Sequence, residues 1–414
     1  MGRPVPAFTP DLFADDVLLD PYPHYRQLRD LGPLVWLEAQ QVYVLPRYEE
    51  VRAALRDAET YRSGRGVGLN DLVNERGRGT TLASDGRAHD VQRQLLFGPL
   101  TPKSLVPLRA SVERLADDLV AGLVARGECD AVADLARALP LTVVPDLVGW
   151  PAESRANLLP WAAAGFDVLG PMNGRAQRAL PAFGELLEFT GQVASKEGFA
   201  PDGVGARLLA AARRGEIAPE QVGPLVLDYL VPSMDTTISA IGSAVWLFAR
   251  HSEQWSAVRA EPELIPRAFN EVLRLESPIR CFSRVTTRET TVGEHTLPAG
   301  ARVVLHYASA NRDERCFTAP DEFDVRRENV GGQLGFGLGT HNCAGQGLAR
   351  IEAHAVLAAL ARRVARISAG EPVRGLNNLI NHLTALPVTL HPAAERAEPA
   401  GPAASPGPPT RCPV

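Results

Sequence analysis

The feature that most constrains this chain is the apolar run from Pro219 to His251. Leucine, valine, alanine and isoleucine recur there at intervals of three and four, the spacing that gives a helix a buried face. Pro219 suits a first helical turn, where a missing N–H costs nothing. At 1.5 Å per residue such a helix spans about 45 Å. That is too long for an ordinary surface helix, so it should cross the whole molecule. A second run, with Leu108, Val112, Leu115, Leu119 and Leu123 at the same spacing, opens a stretch of helical signals from about Leu105 to Ser277.

Strand-like pieces are short: Val42–Leu45, Thr290–Val292, Arg302–Leu305 and Leu386–Leu390. They do not alternate with helices, which disfavours a doubly wound parallel sheet. At about 150 residues per domain, 414 residues allow two or three domains, yet no repeat or Gly/Ser linker interrupts residues 10–392. The expected fold class is therefore mainly α, a single large helical domain with small β-sheets. Residues 1–9 are expected to be a flexible N-terminus, and the Ala/Pro-rich tail 393–414 to be disordered.

The net charge of −5 and a pI near 6.0 argue against nucleic acid or an anionic membrane as main partner. The longest apolar candidate for a membrane span, Ala240–Ala249, stops at Arg250 and His251, short of the ~18 residues required. The amino terminus has no apolar core behind Arg3, so no signal peptide is expected. Cys129, Cys281, Cys316, Cys343 and Cys412 are odd in number and scattered, as in a reducing compartment. A cytoplasmic protein is expected.

Chemistry concentrates in Phe336-Gly337-Leu338-Gly339-Thr340-His341-Asn342-Cys343-Ala344-Gly345, followed by a helix-forming run from Gln346 to Val364. Closely spaced glycines let backbone turn beside a large flat ligand, and amides at a helix start stabilise a thiolate. That pattern suits Cys343 as an axial ligand to haem iron. The bland alternative is a small buried cysteine in a Gly-rich loop. A nucleotide loop fails because no glycine follows Gly337 and Gly339 at the third expected position, and a zinc site using His341 and Cys343 lacks further ligands.

Glu271-Val272-Leu273-Arg274 is an ExxR pair, and Asp235-Thr236-Thr237 lies in the long helix. With the cysteine loop, these motifs in this order make the chain resemble a bacterial cytochrome P450 from about residue 10 to 392. The resemblance implies the P450 fold and haem b (iron protoporphyrin IX) with Cys343 as proximal thiolate. It implies His89, Arg93, Arg284 and His341 as partners of the haem propionates, and Glu271, Arg274 and Arg327 as a structural ion cluster behind the cysteine loop. Asp235 and Thr236 match the family's acid–alcohol pair, which relays protons during O2 activation. Upstream the chain departs from the pattern: Pro232-Ser233-Met234 stands where the family commonly has Ala-Gly, and Pro232 should kink the helix. Electrons from NAD(P)H would come through a ferredoxin reductase and a ferredoxin docking near Arg87, Arg93 and Arg350, with the enzyme acting as a monomer.

Within the family, Ser63–Leu69 and Phe166–Pro171 look most like bacterial enzymes that hydroxylate or O-demethylate para-substituted benzoates, as do the less specific Ser309–Asp313 and Leu386–Val388. By that resemblance Phe166, Leu169, Val231, Ile279 and Phe282 line a compact apolar pocket for a small-molecule substrate. Those enzymes carry Arg-Ser where this chain has Leu227-Asp228. Asp228, Pro232 and Asp235 share a helix face, so Asp228 either meets substrate, with Ser233 nearby, or caps a loop or pairs with Arg65 or Arg280. The functions this leaves are an aromatic monooxygenase, a secondary-metabolism enzyme coupling a phenol, indole or cyclic dipeptide, or a haem sensor or carrier without turnover.

Overall fold

The long apolar run forms a single helix, Val222–Arg250, entered through a 3-10 turn at Pro219–Gln221. This central helix belongs to a computed structural model describing residues 4–393. From Thr237 to Val245 every residue is buried, so the helix is enclosed on all sides there rather than on one face. Ser239, Ala240, Gly242, Ser243 and Ala244 make that enclosure possible by letting neighbouring helices approach closely. Around it pack Ala138–Val148, Leu158–Leu169, Gly174–Ser195, Ile265–Leu275 and Gln346–Arg363. The helical assignment runs unbroken through Pro232, so the proline does not interrupt the helix, although it cannot donate to the Asp228 carbonyl.

The expected strands at Val42–Leu45, Thr290–Val292 and Arg302–Leu305 are present, and the last one expected runs Pro387–Pro392. The largest sheet has six strands in the order Ala7–Phe8, Val35–Leu37, Val42–Leu45, Arg302–Leu305, Phe282–Thr286, Tyr61–Arg62. Its first member corrects the expected boundary at residue 10. Ala7 and Phe8 pair with Trp36 and Leu37, and Phe8 is buried, so that part of residues 1–9 is structured. The helical stretch also contains a short strand, Glu128–Asp130, paired with Pro387–Thr389. The tail expected to be disordered lies outside the described residues apart from Ala393. Helix-side and sheet-side cores meet at Val231, which packs against both.

Behind the cysteine loop sits a fully buried ion cluster. Arg274 donates through Nε and Nη2 to the two oxygens of Glu271, each at 2.8 Å, and Arg327 Nε donates to the same carboxylate at 3.0 and 3.2 Å. The remaining guanidinium N–H groups donate to the carbonyls of Asn311, Thr318, Ala319, Pro320 and Glu322. One carboxylate thereby fixes two arginines, which fix the backbone leading toward Phe336. Replacing Glu271 with alanine leaves two buried guanidiniums without a counter-charge. Chemical denaturation should show a loss of about 3–5 kcal/mol; a loss below about 1 kcal/mol, the range of an exposed pair, would contradict this role.

Candidate active site

The cysteine loop is shaped by two glycines in the left-handed region. Gly337 and Gly339 have φ of +65° and +72°, and a Cβ on Gly339 would lie 2.3 Å from the Leu55 carbonyl oxygen. The turn closes when Cys343 N donates to the Phe336 carbonyl at 2.8 Å, and Gln346–Arg363 then begins as a helix. Burial pushes the Cys343 thiol up, while the N–H groups of Gly345 and Gln346 and the charges of Arg93 and Arg350 pull it down. The sulfur therefore sits among groups that favour a thiolate but in surroundings that demand a compensating cation.

Cys343 faces a cavity of about 870 Å³. Thr236, Thr237 and Ala240 of the central helix line it, as do His341, Asn342, Gly345 and Leu348. Arg93 and Arg284 also reach the wall, Arg93 donating to Asn342 Oδ1 at 2.6 Å and Arg284 to the Ser283 carbonyl at 2.8 Å. His89 stands behind the wall, its ring 4.4 Å from that of His341. Both imidazoles have a buried Nε2 without a hydrogen-bond partner. These two imidazoles, His341 Nε2 lying 3.8 Å from Asp85 Oδ1, form with two guanidiniums a donor set for carboxylates, and the thiol supplies a soft metal ligand. The residues present thus fit a haem with its propionates.

On the opposite wall, Thr236 lines the cavity and its hydroxyl donates to the Pro232 carbonyl at 2.6 Å. Asp235 is set back from the wall, within electrostatic range of Arg137 and Asp167, and burial raises its carboxyl to about 7. Phe166, Leu169, Val231, Ile279 and Phe282 line the cavity together, and Ser233 joins them.

Asp228 also lies on the wall, and it caps a loop there as well. Its Oδ2 accepts from the backbone N–H of Thr81 at 2.6 Å, so it holds the loop at residues 80–82. Neither arginine considered as a partner reaches it: Arg280 donates to the Asn377 carbonyl at 3.0 Å, and no ion pair links Asp228 to Arg65 among the described residues. Burial raises the Asp228 carboxyl to about 7, opposed by the N–H groups of Thr81 and Leu82.

Of the arginines expected to face a redox partner, only Arg87 is exposed. Arg93 turns into the cavity, and Arg350 lies over the Phe336 ring at 4.9 Å, each half-buried. Sequence reasoning missed Arg76, an exposed guanidinium on the cavity wall, and Thr81, whose contribution is a backbone N–H that no motif announces. It also missed Asp85, which accepts from Ser63 N and Gly64 N and approaches His341 at 3.8 Å.

A cysteine loop facing a buried chamber, with donors for two carboxylates at its edge, defines a haem-thiolate oxygenase. The chain belongs to the cytochrome P450 family. The family model described as Cytochrome P450 matches residues 201–365. Cytochrome P450 CYP199A2 of Rhodopseudomonas palustris is 41% identical over 397 residues, covering 95% of this chain and 96% of the relative. Cytochrome P450 130 of Mycobacterium tuberculosis is 31% identical, with 83% and 88% covered. Among solved structures, CYP109Q5 of Chondromyces apiculatus superposes with a TM-score of 0.77 at 29% identity, covering 93% of this chain and 99% of that one. CalO2 gives 0.80 at 28%, covering 94% and 100%. The protein is a P450 monooxygenase that uses haem b, and no helix among the described residues is long and apolar enough to cross a membrane.

The raised Asp228 carboxyl has a consequence for stability. Between its ordinary 3.8 and about 7, the folded chain keeps a proton that the unfolded chain has lost, so this group makes stability fall as pH rises through that window. Asp228→Asn removes the fall. In denaturation of the holoenzyme it should gain on the parent as pH goes from about 4 to about 7, by at most about 4 kcal/mol. A difference that stays constant across the window would contradict the assignment.

Proposed function

We propose that this monooxygenase hydroxylates or O-demethylates a small aromatic substrate bound against Phe166, Leu169, Val231, Ile279 and Phe282. The observation that carries this reading is the convergence of those side chains on the chamber that Cys343 faces. In it Cys343 would hold the haem iron as a thiolate, and His89, Arg93, Arg284 and His341 would neutralise the propionates. Haem b, when bound, supplies the activation of O2. Thr236 offers a hydroxyl at the wall, and Asp235, raised to about 7, holds and releases a proton near neutral pH. Because Asp228 is engaged by the loop it holds, Arg76 is the charge available to an anionic ring substituent, and it makes no ion pair among the described residues.

The resemblance of Ser63–Leu69 and Phe166–Pro171 to benzoate-oxidising enzymes favours a para-substituted ring. Electrons come from NAD(P)H through a ferredoxin reductase and a ferredoxin, since the chain has no flavin or iron–sulfur motif. Arg87 marks the docking side, and the enzyme works as a monomer in the cytoplasm. A second reading, oxidative coupling of a phenol, indole or cyclic dipeptide, draws on Ser233 and Asp228 at the wall.

Formaldehyde release from 4-methoxybenzoate and 4-methoxyphenol, driven by a ferredoxin pair, separates these readings. Release is expected, and Arg76→Ala should weaken methoxybenzoate binding by about tenfold, as expected for loss of one charged contact. No release from any methoxyarene, with substrate-type spectral shifts from indoles or cyclic dipeptides, would support coupling instead. Absence of turnover with every ferredoxin pair would favour the sensor.

A further inference from the structure

The aromatic part of the chamber is built from two segments far apart in the chain. Phe166 and Leu169 come from the end of the helix Leu158–Leu169, and Ile279 and Phe282 from the segment entering the strand Phe282–Thr286. The backbones of both segments are bonded to a third, the loop at residues 377–381, which carries three buried asparagines, Asn377, Asn378 and Asn381. None of that loop's residues lines the chamber.

The helix end needs outside partners. The last four carbonyls of a helix have no N–H from their own helix. Gly170, which follows Leu169, has φ of −72°, so it does not make the left-handed turn that commonly closes a helix. Side chains from elsewhere complete the end. Asn378 Nδ2 donates to the Asp167 carbonyl at 2.8 Å, and Asn70 Nδ2 donates to the Val168 carbonyl at 2.6 Å. Asn377 Nδ2 reaches further up the helix, to the Ala163 carbonyl at 3.0 Å.

Asn378 is the centre of the loop, and its amide is fully used. Nδ2 also donates to Asn173 Oδ1 at 3.1 Å, while Oδ1 accepts from Asn173 Nδ2 at 2.9 Å and from Arg175 Nε at 3.1 Å. Its backbone N–H donates to Asp167 Oδ1 at 2.8 Å. Asn173 in turn caps the helix Gly174–Ser195, accepting from Ala176 N at 3.1 Å. A Cβ on Gly170 would lie 2.4 Å from Asn378 Cβ, so the corner between the two helices closes directly onto this residue. The rest of the loop holds the other wall. Arg280 N donates to the Leu379 carbonyl and Asn381 N to the Pro278 carbonyl, both at 2.9 Å, and Ile279 forms a bridge with Ile380. Arg280 Nη1 donates to the Asn377 carbonyl at 3.0 Å.

We propose that Asn378 is a positioning residue for the substrate pocket. From a loop bonded to the segment that carries Ile279, it caps the helix end that carries Phe166 and Leu169. It thereby sets the separation of the two walls, and with it the size of ring the chamber accepts. The inference rests on those side chains forming an aromatic pocket beside haem.

Spectral titration of the ferric holoenzyme with imidazole and with 4-phenylimidazole tests it. Both ligands reach iron through an imidazole nitrogen, and the second also carries a phenyl ring to the walls. The parent should bind 4-phenylimidazole more tightly than imidazole. Asn378→Asp keeps the size and the acceptor but loses both Nδ2 donations, and Asn378→Ala loses the whole amide. In each, the Kd for 4-phenylimidazole should rise by at least about tenfold while that for imidazole stays within about twofold. Asn173→Ala removes the reciprocal amide and is a milder variant, which should move the ratio of the two constants in the same direction. Leu390→Ala, a core truncation away from the chamber wall, should lower the thermal midpoint and leave the ratio unchanged. A parent-like ratio in the Asn378 and Asn173 variants, or an equal change in Leu390→Ala, would overturn the positioning role. A parent that binds both ligands equally would instead overturn the aromatic pocket, and one with no spectral shift from imidazole would overturn the haem chamber.

Discussion

Everything at the site depends on one buried carboxylate. Glu271 is fully enclosed and holds Arg274 and Arg327, and through them the carbonyls of residues 311–322. A buried ion pair is weak evidence of net stability, because desolvation offsets much of the attraction, but it specifies geometry strongly. Here the geometry specified is that of the chain running to Leu334, whose N–H donates to Asn311 Oδ1 at 2.7 Å, and then to the cysteine loop. The reactive sulfur is thus placed by residues that never approach it.

A second constraint comes from the central helix. Its middle, built on small residues, is enclosed, whereas its first half is only partly covered. The same element is therefore core at one end and cavity wall at the other. Asp228 sits in that first half and holds the Thr81 backbone, so the loop over the chamber is tied to the helix below by hydrogen bonding to a buried carboxyl.

Much of this was legible in the sequence. Periodicity placed the central helix to within three residues at its start, because an apolar pattern that long has no other solution. The ExxR spacing and the glycine-rich loop announced themselves, since each needs particular residue types at fixed offsets. What could not be read was the direction of long side chains. Arg350 looks like a surface cation in the sequence, yet it lies on Phe336. Nor could backbone partners be foreseen: the N–H that meets Asp228 belongs to Thr81, 147 positions away, and any non-proline residue supplies one. The strand at Ala7–Phe8 was missed for a similar reason, because two residues carry no periodicity and are ordered only by the edge they join.

The central claim is that Cys343 provides a thiolate to haem in this chamber, and the spectrum of the dithionite-reduced, carbon monoxide-bound holoenzyme tests it most directly. The account predicts the strongly red-shifted Soret band of thiolate ligation in the parent chain, and its replacement by an imidazole-type band in Cys343→His. An imidazole-type band in the parent, or an unaltered thiolate-type band after that substitution, would contradict it.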